Sequence, residues 1–279
     1  MNTKIQHKKK TDLGQTFPIR LMIILLSIAL VACKKENPVV LDPNLNGIVR
    51  ELIPSDSLND WILQEFTKPY NISIDYKYDA PRYPFFLETN YQAVRLELVK
   101  PFLISFNKSF IEVFNEVSGS KSFIQQYSPK NLVLVGSAGS VAGVADGYGT
   151  IFLFGMNTNS VSFGTIYHEI MHTLNIRKGI PPYFTEISLA DYREADWEWR
   201  VTANDDGFVS AYASRSVTED MAEVFSNFVT NHDRFEQLLQ NPKGGKKIQR
   251  KADALAQFLS QEYHIDLEQL RLQYETSLQ

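Results

Sequence analysis

The sequence predicts an α+β fold, a small twisted sheet with helices packed around it, and three observations carry that prediction. Strand-like apolar runs fall in the first 154 residues, at Ile72-Ser73-Ile74-Asp75-Tyr76-Lys77-Tyr78, Asn131-Leu132-Val133-Leu134-Val135 and Thr150-Ile151-Phe152-Leu153-Phe154. The last third of the chain instead repeats its apolar residues at helical spacing. Between them lies His168-Glu169-Ile170-Met171-His172, whose residue types make sense together only on a helix. With 279 residues and 44% hydrophobic content, the chain can bury a sizeable core.

The start of the chain does not belong to that core. Lys4, Lys8, Lys9, Lys10 and Arg20 precede the apolar run Leu21 to Ala32, which is too short to span a bilayer but suits a signal-peptide core. The run ends in Leu30-Val31-Ala32-Cys33, which looks like a bacterial lipoprotein processing box, so residues 1–32 are expected to be removed and Cys33 lipidated. Cys33 is the only cysteine, which excludes an intramolecular disulfide. Acylation explains a sole cysteine at this position better than redox chemistry or metal ligation. Residues 33–54, with Pro38, Pro43, Asn44, Asn46 and Pro54, read as a tether, and 55–279 as the globular domain. Loss of 1–32 takes five of 28 Lys and Arg and one of 32 Asp and Glu, leaving a net charge of −8. Such a chain lacks the clustered positive charge that nucleic-acid binding requires.

The globular part opens with a candidate N-cap in Ser55-Asp56-Ser57, then Leu58, Trp61, Ile62 and Phe66 at helical spacing, stopped at Lys68-Pro69-Tyr70-Asn71. After the strand at 72–78, residues 88–117 turn helical again. Tyr91, Val94, Leu98, Phe102, Phe106, Phe110 and Phe114 form an aromatic-rich core stripe there, and Pro101 is expected to break or kink the run. Residues 136–149 are glycine-rich but meet neither the P-loop nor the dinucleotide spacing, so they read as a flexible hairpin connection.

In residues 160–175, Phe163, Ile166, Ile170, Met171 and Leu174 follow a helical period, with Ser160 and Ser162 as candidate N-caps and Gly179-Ile180-Pro181-Pro182 as the stop. Residues four apart on a helix share one face with Cβ atoms ~5–6 Å apart. His168 and His172 can therefore converge on one zinc ion at ~2.0–2.1 Å. Glu169 looks into the space beside the ion, where a metal-activated water needs a base. The motif points to a zinc-dependent hydrolase.

A loop-rich region follows, through Pro182, Phe184, Tyr192, Trp197, Trp199 and Asp206-Gly207, its aromatics either packing or lining a substrate cleft. Helices are then expected at 216–230, 233–240 and 248–278, the last broken near His264-Ile265-Asp266, with Gly244-Gly245-Lys246-Lys247 as a solvated turn. His232 and His264 read as surface or capping residues at helix ends.

A catalytic zinc usually takes three protein ligands and a water. Asn175 and Lys178 stand where a metzincin would place its glycine and third histidine, and no Asn-Glu-x-x-Ser-Asp stretch follows. The remaining candidate is the stretch 212–225, which contains Tyr212, Glu219 and Glu223. The order His-Glu-x-x-His, then Tyr, six residues, Glu, three residues and Glu resembles the catalytic end of anthrax lethal factor-type zinc peptidases. The whole chain is similar to the zinc-binding metallopeptidase lipoproteins of Bacteroidetes, whose genes often accompany outer-membrane nutrient-import systems. That similarity covers most of the mature chain, including Asp60-Trp61-Ile62, Pro69-Tyr70-Asn71-Ile72 and the glycine-rich stretch; only the two catalytic motifs are specific enough to carry function.

The resemblance implies a zincin-like fold whose strand near Thr150 to Phe154 borders the cleft. It also implies one zinc ion with Glu219 as third ligand, Tyr212 as the phenol that stabilises the oxyanion, and Glu223 as the carboxylate that orients a ligating histidine. A peptide or protein substrate, an outer-membrane lipid anchor and an import complex as partner belong to the same expectation. Against it, Ser216-Val217-Thr218-Glu219 also spells a capping box, which would engage the Glu219 carboxylate elsewhere and leave Glu223 as the next choice. Tyr212 also has a reading as a packed aromatic. The rival function is a non-catalytic, lipid-anchored substrate-binding component of an import complex, which has no need of Glu169.

Overall fold

The computed structural model describes residues 57–77, 92–137, 142–146, 149–158 and 161–279. The expected signal peptide, the tether with Cys33, the Ser55-Asp56 cap, Tyr91 and Ser160 lie outside the described residues. Among the described residues four short strands make one sheet: β1 (Ser73–Asp75), β2 (Asn131–Leu134), β3 (Gly143–Ala145) and β4 (Thr150–Leu153), in the order β1-β2-β4-β3. β1, β2 and β4 are parallel, with Ile74 beside Leu132 and Leu132 beside Ile151, whereas β3 runs antiparallel to β4 with Val144 opposite Phe152. Alternation along the strands sorts the side chains between two faces. Leu132, Leu134, Ile151 and Leu153 join the main core, while Val133, Val135, Phe152 and Phe154 form a second cluster with Val144.

Residues 136–149 therefore do more than connect. β2 and β4 are parallel, so no simple hairpin joins them, and the stretch contributes β3, which folds back on β4 and takes the sheet edge. β4, expected to border the cleft, lies inside the sheet, and β3 borders the cleft instead. The cause is steric. A Cβ on Gly143 would meet Thr165 Cγ2 at 2.6 Å, so only glycine lets this strand come so close to the helix beside it.

Helical run α1 (57–70) consists of Ser57–Ile62, a π-turn at Leu63–Thr67 and Lys68–Tyr70, and ends at Asn71 in the left-handed region (φ 56°). Run α2 (96–118) consists of Leu96–Phe106, a π-turn at Asn107–Ile111 and Glu112–Ser118. Pro101 sits inside α2, and of the break or kink expected there, the break is absent. An interior proline costs about 3 kcal/mol, and burial of Val99, Leu103, Phe106, Phe110, Ile111 and Phe114 outweighs that at about 1.5–3 kcal/mol each. The short α3 (Ser122–Tyr127) follows.

The aromatic stripe packs as expected, Phe106 stacking on Phe110 at 5.1 Å and Phe114 on Phe123 at 4.8 Å. Phe110 also meets Tyr167 edge-on at 5.7 Å. Tyr167 belongs to α4 (Phe163–Lys178) and its hydroxyl donates to the Ser109 carbonyl at 3.1 Å, which fixes the rotation of α4 about its axis.

The rest of the chain supplies α5 (Pro182–Thr185), α6 (Val217–Thr230), α7 (His232–Leu239), α8 (Gly245–Tyr263) and α9 (Leu267–Ser277). The expected break at 264–266 is present: His264 ends α8 in the left-handed region (φ 55°) and Asp266 caps α9 by accepting the Gln269 N–H. The solvated turn at 244–247 is not. Gly244 and Gly245 are buried at the start of α8, where added Cβ atoms would lie 1.8 Å from the Asn204 carbonyl oxygen and 2.1 Å from that of Leu239. These glycines are there for space.

α6 and α8 are tied by a fully buried ion pair, Lys251 Nζ to Asp220 Oδ2 at 2.7 Å. Tyr192 donates to the same carboxylate at 2.8 Å, and Lys251 donates to the Gly207 carbonyl at 2.8 Å. Burial pushes Asp220 up to about 6 against the pull of Lys251, and burial draws the Lys251 ammonium down. Removing one partner of such a pair leaves the other charge stranded. Lys251→Met should therefore destabilise the fold by about 3–5 kcal/mol, and Asp220→Leu added to it should restore most of the loss, as measured by urea unfolding. Equal losses in the single and double variants would show that packing alone is at stake.

Candidate metal centre

Helix α4 starts at Ser162, whose hydroxyl accepts the Thr165 N–H at 3.2 Å, and stops at Gly179 (φ 77°). Over that length it holds His168 and His172 on one face, their Nε2 atoms 3.0 Å apart. Helix α6 starts at Ser216, whose hydroxyl accepts the Glu219 N–H at 3.3 Å. That is one half of the capping box; the Glu219 carboxylate turns to the histidines, with Oε2 3.1 Å from His168 Nε2 and 3.2 Å from His172 Nε2. The serine satisfies the helix end and leaves the carboxylate available.

Close packing of the two helices makes this convergence reachable. The Gly164 carbonyl accepts the Ser226 hydroxyl at 2.8 Å, and a Cβ on Gly164 would lie 3.3 Å from both Ser226 Oγ and Thr230 Oγ1. Donor atoms around a tetrahedral ion at ~2.0–2.1 Å sit about 3.3 Å apart. The observed 3.0–3.2 Å among two imidazole nitrogens and a carboxylate oxygen fits that spacing, and the donor set is one that zinc takes. Among the described residues no other group of three such side chains comes together.

Glu223, one turn after Glu219, has Oε1 2.9 Å from His168 Nδ1, and its Oε2 accepts the Ser210 hydroxyl at 2.7 Å. His168 is thus held at both ring nitrogens by acids. Burial alone would lower its pKa, but hydrogen bonds to Glu219 and Glu223 push it up to about 10. Burial raises Glu219 too, yet its bonds to His168 and His172 win and hold it well below the usual carboxylate range.

Glu169 stands apart from the three converging donors and lines the cleft. Burial pushes its carboxyl up, against the pull of His168, His172 and the Ala145 N–H. Tyr212 lies in the turn Tyr212–Arg215, its ring stacked on His168 at 5.9 Å and meeting Trp197 edge-on at 4.9 Å. Burial, then the charge and hydrogen bond of Glu219, raise its phenol, so it stays protonated at neutral pH. The cleft of about 620 Å³ is bordered by Gly143 and Thr165 on one side and Trp197 and Tyr212 on the other, with His168 and Glu169 in its wall.

The structure brings His168, Glu169, His172, Tyr212, Glu219 and Glu223 into one place. It leaves out His232, which faces the Phe228 carbonyl at 3.2 Å and Glu236, and His264, which ends α8. Sequence reasoning missed Ser210 and the Ala145 N–H, because a lone serine and a backbone group carry no signature. It also missed Arg215, whose place three residues after Tyr212 was the available hint.

A family model described as "Putative zinc-binding metallo-peptidase" matches residues 52–268. Among solved structures, the chain is similar to a crystal structure described as a "putative zinc-binding metallo-peptidase" from Bacteroides caccae, with 23% identity and a TM-score of 0.68, covering 81% of this chain and 94% of that one. At that identity the likeness is one of fold. No curated protein matches the chain.

The two acids flanking His168 give a testable consequence for the metal-free protein. An NMR titration should find its imidazole protonated up to a midpoint near 10, and Glu223→Gln should lower that midpoint. Because the folded value lies above the ordinary 6.5, the stability this residue contributes is complete below pH 6.5 and is lost as pH rises through the folded value. A midpoint at the ordinary histidine value would refute the doubly bonded arrangement.

Proposed function

Because the chain belongs to the zinc-binding metallo-peptidase family, we propose that it is a zinc-dependent peptidase of the gluzincin type, with His168, His172 and Glu219 holding one ion. The observation that carries this reading is Glu219 Oε2 lying within 3.2 Å of both imidazole Nε2 atoms. Zinc in that position supplies Lewis acidity, which polarises a carbonyl and acidifies water to near neutral pH.

The chain's own residues then divide the work. Glu169, made more basic by burial, takes the proton of the attacking water and passes it to the leaving amine. Tyr212 keeps its proton and through it donates a hydrogen bond to the developing oxyanion. Glu223, steadied by Ser210, keeps His168 in the tautomer that presents Nε2 to the ion. Along β3 the rungs that bond β4 alternate, with the Ala142 carbonyl accepting the Phe154 N–H and the Asp146 N–H reaching the Thr150 carbonyl. The backbone groups of Gly143 and the carbonyl of Ala145, whose N–H is taken by Glu169, are left to the open edge, where an extended peptide substrate can add. A non-catalytic binding component would have no use for a buried carboxylate set beside the ligands and open to the cleft, which favours the enzyme.

We also infer that Cys33 carries the lipid, that 33–54 is the tether, and that the protein is an outer-membrane lipoprotein working beside a nutrient-import complex. The support is the Leu30-Val31-Ala32-Cys33 box and the similarity to Bacteroidetes lipoproteins. The net charge of −4 argues against a nucleic-acid partner.

Elemental analysis and peptide hydrolysis on the soluble form lacking residues 1–33 test this reading. Glu169→Gln should keep its zinc and lose activity by about 10²-fold or more, whereas Glu219→Ala should lose the zinc. Full zinc content in Glu219→Ala would remove that residue from the site, and wild-type rates in Glu169→Gln would refute the mechanism. Zinc must displace the His168 proton, so its apparent affinity should climb about tenfold per pH unit from neutrality until that group's own titration ends.

A further inference from the structure

Arg215 is the only lysine or arginine among the described residues that line the cleft, which otherwise holds Glu169, Glu198 and Glu223. Its two polar contacts are long and both use one nitrogen: Nη1 is 3.4 Å from the Tyr212 hydroxyl and 3.9 Å from Glu219 Oε1. A guanidinium built to grip Glu219 would bind it bidentately at about 2.7–2.9 Å. Here the side chain is 44% exposed, and Nε and Nη2 are not engaged by those contacts. The tie to Glu219 is an i,i+4 pair of the kind worth little. What Arg215 has instead is a place beside the site: its guanidinium carbon lies 5.8 Å from the Tyr212 ring, whose other aromatic neighbours are His168 and Trp197.

We propose that Arg215 is a substrate-recognition residue that binds a carboxylate carried by a residue flanking the cleaved bond, so that acidic or carboxyl-terminal peptide segments are the preferred substrates. The inference rests on the peptidase reading above. Its physical basis is the match between a planar fork of N–H donors and a carboxylate. The distance is also right. Arg215 Nη1 lies 3.4 Å from the phenol oxygen proposed to face the reacting carbonyl, so a carboxylate held by the guanidinium belongs to a residue close to that carbonyl. The same chemistry is offered by an Asp or Glu side chain and by a free C-terminus.

The test uses a synthetic peptide mixture of randomised sequence, half with free and half with amidated C-termini, digested by zinc-loaded wild type, Arg215→Met and Arg215→Lys. Wild-type cleavage should concentrate beside Asp and Glu in both halves if a side chain is read, or beside the terminus of the free half alone if the terminal carboxylate is read. In Arg215→Met the ratio of kcat/KM for carboxylate-bearing over neutral peptides should fall about tenfold or more, through KM, and Arg215→Lys should recover part of it. An unchanged ratio, or no carboxylate preference in wild type, overturns the proposal.

If wild type cuts no peptide at all, the peptidase reading fails and binding decides the rest. Metal-free wild type and Arg215→Met are titrated calorimetrically with N-acetyl-Ala-Glu and with amidated N-acetyl-Ala-Gln, so that no ion can take up the carboxylate. Selective weakening of the acidic probe by the substitution supports the role; equal affinities refute it.

Discussion

A carboxylate from one helix has to reach between two imidazoles on another, and most of the molecule can be understood as what permits that approach. α4 and α6 come together at Gly164, where the absence of a side chain lets Ser226 bond the backbone directly. Rotation of α4 is set by Tyr167, clamped among Phe110, Phe114, Phe225 and Tyr274. The position of α6 is also set by Asp220, next in sequence to Glu219 but turned about 100° from it around the helix, into the core toward Lys251. Adjacent acids thus face different ways, one toward the histidines and one toward the fold.

Charge at the centre is balanced before any ion arrives. His168 has an acid at each ring nitrogen, and Glu219 is shared by both histidines. Such an arrangement holds a proton where a cation is wanted, which keeps buried groups compensated and the side chains in place. Preorganisation of this kind limits the rearrangement needed when a proton gives way to a metal.

Much of this was legible locally. The spacing of His168 and His172, the caps at Ser162 and Ser216 and the break at His264 follow from short-range rules, and the structure contains each of them. The role of Ser216-Val217-Thr218-Glu219 was ambiguous in sequence, because a capping box and a ligand draw on the same carboxylate; in the fold the serine caps alone and the carboxylate turns to the histidines. What escaped was decided by distant contacts. β3 is a strand because Gly143 fits against Thr165, α2 survives Pro101 because of what it buries, and Gly244 is pressed by Asn204, none of which is written within a few residues of the position concerned.

One further consequence belongs to β3. Val144 faces the second apolar cluster, so the residues turned toward α4 are Gly143 and Ala145, the smallest available. A strand of that kind meets a polypeptide through main chain alone and gives it no side-chain landmarks, so neighbouring registers two residues apart are nearly equivalent in energy on that side. For the peptidase proposed above, the place where a peptide comes to rest would then be decided from the facing wall at Trp197 and Tyr212, leaving one border of the cleft to align the chain and the other to choose its frame.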